Sequence, residues 1–150
     1  MNRTLTTLAF LFISLLGFGQ KENPVKWEFT SHKKADQVYE IVLSARVEKP
    51  WHIYSQFTPG GGPLPTTISY SLNPLLQIDG ASVETGKLQT NHDETFGVEV
   101  KYFSDQVAFV QKVKVKKNIK TGIRGNIEYM VCNDKKCLPP VKQTFDIQLQ

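Results

Sequence analysis

Cysteine, helical periodicity and long apolar runs are all scarce in this 150-residue chain, and each scarcity excludes something. No segment repeats apolar residues at helical spacing, which argues against a helix-built core. Only two cysteines are present, Cys132 and Cys137. They cannot make a structural zinc site without two histidines, and His32, His52 and His92 show no ligand spacing, so no metal and no cofactor is expected. The one long apolar run, residues 5–18, is shorter than the roughly 20 residues that span a bilayer. No cysteine follows it, so a lipid-anchored lipoprotein is not supported. Charge is nearly balanced, with 18 Lys and Arg against 14 Asp and Glu and a net +4. The basic cluster Lys112, Lys114, Lys116, Lys117 and Lys120 falls largely on one solvated face of a strand. It lacks the interleaved aromatics of single-strand binders, so no nucleic-acid partner is expected.

What is present at the N-terminus is a cation at Arg3, the apolar run, and the small residues Gly17 and Gly19. That is the layout of a secretory signal peptide over residues 1–19, cut after Gly19. The expected mature chain, residues 20–150, is an exported single domain with no stable membrane insertion. Outside the cytosol two thiols persist as a disulfide, and an even count with none left over suits that.

Two-residue alternation dominates the rest. Over residues 106–117, Val107, Phe109, Val113 and Val115 point one way while Lys112, Lys114 and Lys116 point the other, as in a half-buried strand with a soluble outer face. Ile127, Tyr129 and Val131 continue the pattern up to Cys132, and Val141, Phe145, Ile147 and Leu149 repeat it at the end. Further strands are expected at 25–30, 38–47, 66–72 and 98–103. Turns are expected at Asn73-Pro74, Asp79-Gly80, Thr121-Gly122 and Asn133-Asp134. The glycine- and proline-rich segment 58–65 reads as a surface loop. Many short strands without helices imply an all-β, immunoglobulin-like antiparallel β-sandwich. The usual disulfide of that fold bridges the two sheets across a long stretch of sequence; a pair this local cannot be that bridge.

The pair sits in Cys132-Asn133-Asp134-Lys135-Lys136-Cys137, followed by Leu138-Pro139-Pro140. A disulfide closing a loop of about six residues contributes roughly 2 kcal/mol in the chain-entropy model. A sandwich of this size should not need it. Lys135 and Lys136 place positive charge beside the sulfurs, favouring thiolate and faster exchange. Pro139-Pro140 stiffens the chain just after Cys137. These residues by themselves leave two readings open, a structural staple and a redox site.

The stretch from Tyr129 to Pro140 resembles the active-site hairpin of the N-terminal periplasmic domain family of the thiol:disulfide interchange protein DsbD. Trp51-His52-Ile53-Tyr54-Ser55-Gln56, Gly62-Pro63-Leu64-Pro65-Thr66 and Asn91-His92-Asp93-Glu94-Thr95-Phe96-Gly97 follow the family's order, and the resemblance covers about residues 24–149. It implies an immunoglobulin-like domain that takes electrons from a thioredoxin-like domain and passes them to periplasmic disulfide proteins. On that resemblance Cys137 forms the mixed disulfide with partners and Cys132 resolves it. Phe96 and its loop (Asp93, Glu94, Thr95, Gly97) act as a cap over the sulfurs, and His52 and Tyr54 line the floor, with Lys135, Lys136 and Pro139 beside the pair.

The cysteine spacing is one residue shorter than in the best-known members. The sequence also shows no counterpart of the eight-helix membrane segment or the C-terminal thioredoxin-like domain of full-length DsbD. A separate membrane electron donor is therefore expected, and the chain is a monomeric relay component rather than a complete reductase. The rival readings are a non-catalytic immunoglobulin-like interaction module with a pinned hairpin, and a module that docks thioredoxin-like proteins without turnover. Residue by residue there are plainer roles too: Trp51 and Tyr54 as core aromatics, His52 as a surface histidine, Asp93 and Glu94 as a solvated turn.

Overall fold

The computed structural model describes residues 23–94, 96–117 and 119–149. The expected signal peptide and Thr95 of the expected cap lie outside the described residues. Among those residues every regular element is a strand: β1 (Val25–Ala35), β2 (Val38–Val47), β3 (His52–Tyr54), β4 (Thr67–Tyr70), β5 (Leu76–Gly86), β6 (Gln89–Asp93), β7 (Val98–Phe103), β8 (Gln106–Val115), β9 (Thr121–Tyr129), β10 (Val131–Cys132) and β11 (Val141–Leu149). All pairings are antiparallel. The fold is the expected all-β, immunoglobulin-like sandwich.

Hydrogen bonding divides the strands into three sheets, ordered β1-β2-β8-β5, β11-β9-β4 and β10-β3-β7-β6. The first two supply most of the main core. Ile41 and Leu43 of β2, Val107, Phe109 and Val113 of β8, and Ile123 and Ile127 of β9 are all buried there. Trp27 fits between Phe109 and Tyr129, its ring centroid 5.2 Å from that of Tyr129. The alternation read in the sequence is thus the alternation of burial.

One inward position of β8 is polar. Gln111 is only 2% exposed. Its Nε2 donates to the carbonyls of Asp79 and Gly80, each at 3.1 Å, where the register of β5 shifts between Asp79 and Val83. A bulge leaves carbonyls unpaired by the ladder, and a buried amide side chain satisfies them.

The sequence expectations need four corrections. Asp79-Gly80 is no turn between strands; it lies inside β5, at the bulge. Thr121-Gly122 opens β9 and so is strand as well. The continuous pattern through Ile127, Tyr129 and Val131 is two strands: the chain leaves one sheet after Tyr129 and joins another at Val131. β3, β5 and β6 went unforeseen. β3 is three residues long, β5 is interrupted by its bulge, and β6 (Gln-Thr-Asn-His-Asp) has no apolar residue to mark it.

Candidate functional site

The third sheet, β10-β3-β7-β6, has two different faces. Ile53, Phe103 and Val131 point into the main core, while Tyr54, Val100 and Cys132 form a second buried cluster. Cross-strand register partners share a face. Cys132 pairs with His52, Tyr54 with Tyr102, Asn91 with Val100 and Asp93 with Val98. One face therefore carries a row of side chains from the cysteine at one edge to the β6–β7 turn at the other.

Cys132 and Cys137 are joined in a disulfide, with Cα atoms 4.0 Å apart. The hairpin between them is also closed by hydrogen bonds. Asn133 N donates to Lys136 O at 2.9 Å, and Leu138 N to Val131 O at 2.8 Å. The Asn133 carboxamide oxygen accepts from the backbone N–H of both Lys135 and Lys136, each at 2.9 Å, an Asx turn that explains why the chain reverses here. The two sulfurs differ in setting: Cys132 is 2% exposed within the second cluster, whereas Cys137 is exposed.

Facing the hairpin is the β6–β7 turn. Asp93 closes it: its carbonyl accepts from Gly97 N at 2.7 Å, and its Oδ1 accepts from Phe96 N at 3.2 Å. Gly97 has φ +67°, a left-handed conformation that favours glycine. The base of the turn rests on the glycine-rich loop. A Cβ on Gly62 would sit 2.7 Å from Val98 Cγ2 and 3.6 Å from Phe96 Cβ, so only a residue without a side chain lets the two segments close. That loop is anchored at its start, because Glu84 accepts from Ser55 Oγ at 2.7 Å and from Gln56 N at 2.6 Å. Thr58 Oγ1 accepts from Lys101 N at 2.8 Å, and Thr66 Oγ1 donates to Tyr54 O.

Between hairpin and turn lies an open cleft of about 750 Å³. Cys132 and Cys137 line it together with His52 and Tyr54 on the floor and Asp93, Glu94 and Phe96 on the opposite wall. Lys135 and Lys136 also border it, with the Lys136 ammonium 5.4 Å from the Trp51 ring centroid. Trp51 itself is buried in the main core. Pro139 is exposed and does not line the cleft, and neither does Gly97, which shapes the turn instead. Sequence reasoning missed Tyr102, whose ring lies 4.7 Å from that of His52, and the carboxylate of Asp134 on the hairpin. Alternation against buried Phe103 could have placed Tyr102 on the site face.

His52 is the pivot of the floor. Its Nε2 lies 3.2 Å from the Tyr54 hydroxyl. Burial holds the imidazole pKa below its usual 6.5, opposed by the nearby carboxylates of Asp134 and Asp93. Burial, then the charge of Asp93 and the neighbouring Tyr102, push the Tyr54 phenol up to about 12. At neutral pH the floor thus presents an uncharged imidazole and a protonated phenol.

A local disulfide thus lies at the edge of the sandwich, with one cysteine exposed and a polar turn facing the pair across a cleft. The model of the N-terminal domain of the thiol:disulfide interchange protein DsbD matches residues 21–149, and the chain belongs to that family. Among solved structures the chain is similar to the Neisseria meningitidis DsbD N-terminal domain in the reduced form, at 18% identity and a TM-score of 0.56, covering 83% of this chain and 84% of that one. It is also similar to the N-terminal periplasmic domain of ScsB from Proteus mirabilis, at 12% identity and a TM-score of 0.59, covering 85% of this chain but 47% of that one. A third similar structure is the complex between the DsbD and PilB N-terminal domains of Neisseria meningitidis, at 17% identity and a TM-score of 0.54, covering 87% of each chain. No curated protein matches the sequence.

Proposed function

We propose that this protein is an exported thiol–disulfide exchange module, working in the periplasm, that relays electrons between a thioredoxin-like donor and disulfide-bearing acceptors through Cys132 and Cys137. The observation that carries the reading is the asymmetry of the pair: Cys137 is exposed in an open cleft while Cys132 is buried beneath it. Exchange needs one sulfur that a partner can attack in line and one held back to resolve the intermediate. In the reducing half-reaction a partner thiolate attacks Cys137 Sγ, the bond to Cys132 breaks, and Cys132 carries away the electron pair. A second partner thiol then releases the module as a dithiol. With acceptors the same steps run in reverse.

The residues of the 93–97 loop serve as the cap. Phe96 and the carboxylates of Asp93 and Glu94 face the pair across the cleft, where a docking partner must displace or contact them. A separate membrane protein supplies the electrons, residues 1–19 act as the export signal, and the module works as a monomer. The similar DsbD N-terminal domain seen in complex with a PilB domain supports a partner-docking role for this module.

The staple reading is weakened by the hairpin itself. Its backbone bonds and the Asn133 side chain already hold the turn, so a structural disulfide adds little. The deciding experiment is the reduction potential of the Cys132–Cys137 pair, measured by alkylation gel shift across a glutathione or dithiothreitol series. A value above about −250 mV is expected for an exchangeable catalytic bond. A value below about −300 mV marks a bond that thiol pools cannot reduce, and the relay is then withdrawn.

A further inference from the structure

The two cysteines are served differently by their surroundings. Lys135 and Lys136 form the exposed tip of the hairpin, adjoining Cys137 in sequence, with the Lys136 ammonium over the Trp51 ring. Cys132 is instead enclosed with Tyr54 and Val100 in an apolar cluster. Burial of that kind raises a thiol's pKa, yet a resolving cysteine must attack as thiolate. A proton acceptor near Cys132 is therefore needed. His52 is its register partner on β3, with Cβ atoms about 4.5–5.5 Å apart in such pairs.

We infer that His52 is the general base for Cys132, taking its thiol proton at Nδ1 as Cys132 resolves the mixed disulfide on Cys137. This rests on the exchange reading above and assigns one step of it. The step balances as follows. The Cys132 S–H bond breaks and its proton passes to the imidazole. The Cys132 sulfur attacks Cys137 Sγ and forms the intramolecular disulfide. The Cys137–partner S–S bond breaks and the partner leaves as a thiolate. The module's pair is oxidised and the partner reduced by two electrons. In the opposite direction the imidazolium returns the proton to Cys132 as it leaves.

The surroundings of the ring fit this assignment from each element packed on it. On its own strand the Tyr54 hydroxyl engages Nε2, which leaves Nδ1, the nitrogen nearer the backbone, for Cys132. In the tautomer whose Nε2–H donates to the phenol oxygen, Nδ1 carries the lone pair that a base requires, and the assignment takes that tautomer. From β7, Tyr102 packs on the ring. From the β6–β7 wall come His92, Asp93 and Glu94, and from the hairpin Asp134, Lys135 and Lys136. Of these, the carboxylates of Asp134 and Asp93 act on the ring most directly and stabilise the imidazolium once formed. An uncharged, half-buried imidazole that feels two carboxylates is arranged as a base rather than as a standing cation.

The test uses the reduced protein and an aromatic disulfide, dithiobis(nitrobenzoate), followed by stopped-flow absorbance. Attack by Cys137 releases one chromophore, and resolution by Cys132 releases the second. In His52→Gln the ratio of second-phase to first-phase rate is expected to fall about a hundred-fold near neutral pH, the usual scale of general-base assistance. In the unaltered protein the second phase should rise with pH, reach half its limit at the titration midpoint of the His52 ring and level off above it, the midpoint being read by NMR on the same sample. That second measurement stands even where the variant folds poorly. A second phase that neither slows in His52→Gln nor follows the ring's titration overturns this assignment alone. No second release in the unaltered protein overturns it together with the exchange reading.

Discussion

Val131 and Cys132 are neighbours in a two-residue strand and face opposite ways, Val131 into the main core and Cys132 into the site. The core position of Val131 thereby fixes where the buried sulfur lies. Slipping this strand by one residue would exchange the two, since side chains alternate strictly along a strand.

The difference between the sulfurs gives the first prediction. Cys132→Ser is expected to accumulate a mixed disulfide at Cys137 when mixed with an oxidised thioredoxin-like partner. Cys137→Ser should accumulate little, because its remaining thiol is buried. Non-reducing gels with intact-mass analysis read the trapped species. Equal trapping by both variants would show that burial does not choose the attacking cysteine.

Gly62→Ala tests the seat of the β6–β7 turn. The added methyl meets Val98 Cγ2 at 2.7 Å, and valine has little rotamer freedom with which to move away. Overpacking of this kind costs about 1–3 kcal/mol, measurable by urea unfolding. Reduction of the disulfide by a small thiol should quicken as Phe96 and Val98 are pushed from their seat. An unchanged unfolding midpoint together with an unchanged reduction rate counts against the turn being held by this contact.

Stability should fall at both ends of the pH scale, through His52 and Tyr54 in the site floor and Tyr70 beside the main core. The imidazole of His52 titrates below 6.5 in the folded protein, so below that pH the unfolded chain binds more protons and stability declines as pH falls. The phenols of Tyr54 and Tyr70 are pushed up to about 12, so above pH 10 the unfolded chain binds fewer protons and stability again declines. Thermal melts across pH should show both limbs, with the acid limb flattened in His52→Gln. An acid limb of the same slope in that variant would assign the loss to other groups.

Gln111→Leu removes the amide that serves the carbonyls of Asp79 and Gly80. Leaving a fully buried carbonyl unpaired costs about 1–3 kcal/mol; with Asp79 half-buried and Gly80 exposed the loss lies toward the low end, and the leucine recovers part of it by apolar burial. Net destabilisation in urea unfolding is the expected outcome. A more stable variant would mean that water reaches these carbonyls at the bulge.

The long strands were legible because their apolar residues alternate without interruption, as in β2, β8 and β11. The cysteine hairpin was legible from Asn133 and the double proline. β5 was hidden because a bulge inserts Gly80 into it, and a glycine after aspartate reads as a turn. β6 was hidden because its partner β7 and the cleft, rather than burial, account for its polar side chains. The change of sheet between Tyr129 and Val131 left no mark, since the burial pattern runs through it unchanged. For the site, alternation placed His52 away from Trp51 and Ile53. Its pairing with Cys132 is long-range register, which no local pattern records. Glu84, fastening Ser55 and Gln56 from a distant strand, is another such link.

The bulge in β5 also bears on how copies of this protein coexist at high concentration. β5 is the outer strand of its sheet, and a straight, regular outer strand offers its spare backbone groups to any similar strand it meets. The register shift between Asp79 and Val83 interrupts that row, and Lys114 on the adjoining strand holds Asp79 in an ion pair at 3.0 Å. A sandwich secured by a long ladder thus has an edge poorly suited to adding another chain, which guards against fibril-like stacking.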